Sequence, residues 1–82
     1  MREAVCSHVA RILREEREKK GMSMTVLAQR AGLSQAMISF VEREIRNPSL
    51  ETMLRMAEVL EVNLGDVINR AQAAASKQKD EQ

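Results

Sequence analysis

The side chains able to carry covalent chemistry are few and isolated. Cys6 is the single cysteine and His8 the single histidine. His8 has neither a second ligand at metal spacing nor a paired nucleophile, so it reads as a partly exposed helix residue. There is no Gly-rich phosphate loop and no paired-carboxylate cleft. Catalysis, a metal site and a cofactor are therefore not expected. What remains is concentrated in "LSQAMISFVE", Leu33 to Glu42. On a helix this segment buries Ile38 and Val41 and leaves Gln35, Ala36, Ser39 and Phe40 outward. A glutamine amide makes a bidentate pair with adenine, and small apolar or aromatic groups pack on the thymine methyl. That is contact chemistry, suited to reading an edge rather than breaking a bond. Phe40 also has the alternative of folding back onto the first or second helix.

Several elements are needed to present that face. The first helix is expected from Glu3 to Lys20, with Val5, Val9, Ile12 and Leu13 on one side and Gly21 as a left-handed stop. Glu15 and Glu16 precede Lys19 and Lys20 by four residues, which supports an exposed helix end. Ser23 is a good N-cap for a second helix ending near Ala31, with Leu27, Ala28 and Ala31 inward. Gly32 breaks it, and Ser34 caps the third helix, expected to run to about Arg43 and to bury Leu33 as well. Ser49 caps a fourth from Leu50 to Leu60, whose apolar stripe is Leu50, Met53, Leu54, Ala57 and Leu60. Asn63 with Asp66 reads as a variant capping box for a fifth helix. Its stripe is Leu64, Val67, Ile68, Ala71 and Ala75. Residues 76–82 read as a polar, disordered tail behind a domain of residues 1–75.

Composition agrees with an all-helical reading. Aromatic content is 1%, and six methionines fill space that rings would otherwise occupy. Hairpin signals such as Asn-Gly are absent. A single domain of this size buries only a modest core and is often helped by oligomerisation. The net charge of +1 is unevenly spread: Met1 to Arg46 carries nine Lys/Arg against six Asp/Glu, while the rest carries four against six. The first part suits an anionic partner. No run reaches transmembrane length, no signal peptide is visible and one cysteine forms no internal disulfide, so a reducing cytoplasm is the expected compartment. Cys6 should be a small, buried or half-buried thiol.

Two short helices joined by a tight Gly-containing turn form a helix-turn-helix. The crossing needs a small side chain, which Ala28 supplies, and the turn needs a left-handed residue, which Gly32 supplies. Beyond this, Arg14 to Ile68 resembles the phage-repressor-like DNA-binding domains of the Cro and repressor type. "GMSMTVLAQRAGLSQAMISFVE" is similar at the Leu-Ala pair, the turn glycine, the inward Ile and the closing Val-Glu, and "NPSLETMLRMAEVLEV" is similar to the fourth helix. The resemblance implies an all-α, five-helix lambda-repressor-like fold that binds double-stranded DNA. It places Gln35, Ala36 and Phe40, with Ser39 beside them, at base edges. It places Ser34, Arg43, Arg46 and Asn47 at backbone phosphates, and makes Arg17 and Glu42 a buried structural pair.

The departures from the family pattern are specific. Met24 stands where the family has a phosphate-contacting Gln, and Val26 replaces an acidic capping partner. Glu44 stands where Gly is common, adding a negative charge beside the DNA-facing loop. A left-handed residue other than Gly costs about 1–2 kcal/mol, so the third helix is expected to end differently or run longer.

The expected function is sequence-specific transcriptional regulation by a homodimer on a palindromic operator. The dimer is expected through the fifth helix and the turn before it, with Leu64, Val67 and Ala71 offered for the interface; the sequence does not divide the apolar residues of this helix between core and partner. No small-molecule ligand is implied; regulation would come through concentration, dimerisation or a protein partner. A phage-type repressor, a restriction–modification controller and an antitoxin all fit this size. The alternative from another class is a helical protein-interaction module with weak or lost DNA binding.

Overall fold

Each helix after the first begins where a short polar side chain closes its opening turn. In the computed structural model, which describes residues 1–80 and side chains as far as Lys77, the elements are α1 (Arg2–Lys19), α2 (Met24–Ala31), α3 (Gln35–Glu42), α4 (Leu50–Leu60) and α5 (Leu64–Asp80). The Ser23, Ser34 and Ser49 hydroxyls accept from the backbone N–H of Val26, Met37 and Thr52 at 3.0–3.1 Å. The Asn63 side-chain oxygen accepts from the Asp66 N–H at 3.0 Å. Such bonds satisfy amides the helix itself leaves orphaned, each worth roughly 1 kcal/mol.

One core joins the five helices. Leu13, Leu27, Ile38, Val41, Met56, Leu60 and Val67 are fully buried, and burying each such side chain contributes roughly 1.5–3 kcal/mol. The long helices α1 and α5 pack on each other, α2 crosses α3, and α4 closes the bundle against α2. No ring enters this core; Met22, Met24, Met37 and Met53 pack around its edge. Flexible thioethers fill irregular gaps of this kind.

The structure differs from the sequence reading in four places. The inward face of α4 is turned: Thr52, Met56, Ala57 and Leu60 are buried, Met53 is half-buried, and Leu50 and Leu54 are 61% and 50% exposed. Packing against α2 and α1 selects the Met56 side of the helix. Leu64, Val67 and Ala71, expected at a dimer face, lie instead inside this chain's own core, because α5 docks that stripe on α1. Helix α5 continues through Ser76 to Asp80, past the expected start of the tail. Ala-rich sequence without Gly or Pro gives it no reason to stop; the last residues of the expected tail, 81–82, lie outside the described residues. Finally, α3 neither lengthens nor avoids the left-handed residue: it ends at Glu42, and Glu44 adopts φ 60°.

Candidate nucleic-acid interface

The turn between α2 and α3 is held by backbone first. Gly32 takes φ 70°, and the Leu33 N–H reaches back to the Ala28 carbonyl at 2.9 Å. Ala28 is buried, which lets α2 and α3 cross closely. A second restraint comes from α4. Arg55 donates from Nη1 to the Ala31 carbonyl at 3.2 Å, while its Nε and Nη2 donate to Glu51 at 3.1 and 2.9 Å. The guanidinium thus closes the end of α2, where unsatisfied carbonyls and the helix dipole favour a cation. Sequence reading did not single out Arg55; its only signal was Glu51 four residues earlier.

The far end of α3 is fixed by Glu42. Arg17 donates from Nε and Nη2 to its two carboxylate oxygens at 2.6 and 2.8 Å, and from Nη1 to the Met22 carbonyl at 2.7 Å. Arg17 and Glu42 side chains are 12% and 4% exposed. The hydrogen bonds to Glu42, with its charge, hold the Arg17 pKa above the ordinary arginine value against the opposing effect of burial. One guanidinium therefore joins α1, the α1–α2 turn and α3, so the α2–α3 unit is held by Arg55 at the end of α2 and by Arg17 at the end of α3.

Between those pins the outward face of α3 is available. Ser34, Gln35 and Ala36 are exposed at its first turn, and Ser39 and Phe40 are half-buried one turn later. Arg43, Arg46 and Asn47, just beyond the helix, are all exposed. Phe40 is an anchor for this loop. Its carbonyl accepts from the N–H groups of Ile45 and Arg46 at 2.9 and 3.3 Å, and the Arg46 guanidinium lies 5.2 Å from its ring centroid. A cation–π contact at a solvent-accessible site gains about 0.5–1 kcal/mol. The ring thus holds a cation in place as well as offering apolar surface. Ile45, exposed beside Arg46, was not singled out by the sequence.

The departures have structural partners. Met24 is half-buried and packs on the core. Ser23 keeps its cap to Val26, but the valine side chain returns no bond. Glu44 accepts a hydrogen bond from the Ser7 hydroxyl on α1. Among the described residues no cluster of His, Cys, Asp and Glu suits a metal ion, and no helix is long and apolar enough to cross a membrane. Cys6 and His8 are half-buried.

The Cro/C1-type helix-turn-helix model matches residues 13–67, more than half of the chain. The transcriptional regulator SinR of Bacillus licheniformis is 31% identical over 58 residues, which are 70% of this chain and 52% of that protein. The chain spans about half the length of this curated relative. Among solved structures, a point mutant of the restriction–modification controller protein C.Esp1396I superposes with a TM-score of 0.79 at 26% identity, covering 89% of this chain and 95% of that one. SinR in complex with DNA gives a TM-score of 0.69 at 28% identity, covering 73% of this chain and 97% of that one. The matched residues are the ones that build the pinned α2–α3 unit and the helices beneath it, and the chain belongs to the Cro/C1-type helix-turn-helix family.

Proposed function

We propose that this chain is a sequence-specific, DNA-binding transcriptional regulator that acts as a homodimer on a palindromic operator. The observation that carries the reading is the exposed first turn of α3, on a helix held by Arg17 at its far end and preceded by an α2 end held by Arg55, with the exposed Arg43 and Arg46 just beyond it. A helix presented in this way suits the major groove, where N-terminal residues of a recognition helix meet base edges. Gln35 is the adenine reader, and Ala36 packs on an adjacent thymine methyl. Ser39 and Phe40 contribute at the border of that surface. Ser34, Arg43, Arg46 and Asn47 grip phosphates. The SinR structure in complex with DNA supports the same use of this fold here.

The dimer needs a surface outside the monomer core. Leu64, Val67 and Ala71 are buried within the chain, and the exposed large apolar side chains are Met1, Ile45, Leu50 and Leu54; of these Leu50 and Leu54 share one helix, α4, and are the pair assigned here to a second copy. A second reading, a protein-interaction module, draws on those same leucines and on Glu44 in the loop. Selection from a random-sequence duplex pool at low ionic strength separates the two. The regulator reading expects enrichment of an inverted repeat with adenine at one position in each half-site. A pool that stays random after repeated rounds would favour the interaction module.

A further inference from the structure

The loop after α3 contains an acid in a place where an acid is unhelpful. Glu44 lies between Arg43 and Arg46, the two cations that the DNA-binding reading assigns to phosphates. It is also held at φ 60°, where the backbone and not the side chain fixes its direction. An exposed carboxylate so placed has two natural fates. It pairs with a neighbouring arginine and neutralises it, or it projects toward the phosphates and repels them. In the structure it does neither. Among the described residues Glu44 forms no ion pair, and its carboxylate is bonded instead to the Ser7 hydroxyl, 37 residues earlier on α1. Ser7 is half-buried on α1, which is seated in the core by Val9 and Ala10 just beyond it.

We propose that Ser7 is a positioning residue for DNA binding: it holds the Glu44 carboxylate back on α1 and so keeps Arg43 and Arg46 free for phosphate. The inference rests on the DNA-binding reading above. It assigns a role to the first helix, which otherwise serves this interface only through Arg17. The space needed for the alternative state is present. An open cavity of about 190 Å³ has Ser7, Glu44 and Arg46 on its wall, together with the acidic Glu3, and is the space into which a released Glu44 carboxylate would turn.

The test is a cycle of variants assayed on the selected operator by fluorescence anisotropy across a salt series, with circular dichroism to verify folding. Ser7→Ala frees the carboxylate and should weaken binding about threefold at low ionic strength, the size expected of an exposed charge interaction. It should also lower the salt slope by up to about one, because a neutralised arginine displaces one counterion fewer. Ser7→Thr keeps the hydroxyl and should retain both affinity and slope. In a Glu44→Gln chain, Ser7→Ala should change neither, since a released neutral amide competes for no arginine. An equal loss with Glu44 present and in the Glu44→Gln background would mark Ser7 as merely structural and overturn the inference, as would an unchanged affinity and slope for Ser7→Ala in an otherwise unaltered chain that binds. Absence of any binding by the unaltered chain overturns both the inference and the reading beneath it.

Discussion

Arg17 and Glu42 meet as a planar fork on a carboxylate, with paired N–H···O contacts of 2.6 and 2.8 Å across 25 residues of sequence. The third donor of the same guanidinium takes the Met22 carbonyl. Helix α3 is therefore referenced to α1 rather than only to its neighbour α2.

Removing one partner of that fork should be costly because the other charge is stranded in the core. Glu42→Ala is expected to cost about 3–5 kcal/mol, and Glu44→Ala far less, in urea denaturation. Arg17→Lys should lose most of the pair's benefit, since an ammonium cannot reproduce the fork or reach Met22 at the same time. The Arg17 contribution has a simple pH dependence. A folded-state pKa raised above the unfolded one stabilises below the unfolded value and is lost only as pH climbs through the folded value. For arginine that window is strongly alkaline, so Arg17 titration should contribute no slope to stability near neutrality.

Gly32 and Gly21 are both left-handed, at φ 70° and 64°, but their surroundings differ. A Cβ at Gly32 would sit 3.0 Å from Arg55 Nη1, whereas one at Gly21 meets nothing within 4 Å. Each Gly→Ala change should cost about 1–2 kcal/mol for the backbone. Gly32→Ala should cost about 1 kcal/mol more, as Arg55 is pushed from the Ala31 carbonyl. In an Arg55→Ala chain that excess should vanish. Thermal denaturation of the four variants checks it.

Glu61 closes α4 at φ 58°, an exposed position that glycine adopts without strain. Glu61→Gly is expected to stabilise the chain by about 1 kcal/mol, and Glu61→Ala to give no such gain. Chemical denaturation of both variants decides it.

Some of this architecture was written locally and some was not. Ser23, Ser34, Ser49, Asn63 and Gly32 act within a few residues of themselves, so caps and turn were legible from spacing alone. The Arg17–Glu42 pair came from family resemblance, since no local rule joins residues 25 apart. The inward side of α4 was ambiguous because apolar residues at 50, 53, 54, 56, 57 and 60 spread over nearly half of its circumference. Only packing on α2 and α1 chose Met56 over Leu50 and Leu54. The same holds for α5, where the stripe taken for an interface is the one α1 needs. Ser7–Glu44 and Arg55–Ala31 are tertiary contacts with no signature in the chain. On the recognition face, side-chain types were legible, while the seating of Arg46 on Phe40 was not.

The proposed dimer surface on α4 has its own test. Leu54→Ser removes exposed apolar area and should leave stability nearly unchanged while shifting sedimentation toward monomer. Val67→Ala, at 1% exposure, should instead cost about 2 kcal/mol of folding stability. A dimer that survives both Leu50→Ser and Leu54→Ser would place the interface elsewhere.

The central claim is that α3 reads bases while the loop after it grips the backbone. Comparing Gln35→Ala with Arg46→Ala on the selected operator and on random duplex, across a salt series, tests it most directly. Gln35→Ala should weaken operator binding by roughly 1–3 kcal/mol, relax preference at one base pair per half-site and leave the salt slope unchanged. Arg46→Ala should weaken operator and random DNA about equally and lower the slope by about one. If Gln35→Ala left the preferred sequence intact, or if Arg46→Ala lost affinity for the operator alone, the division between reading and gripping would be contradicted.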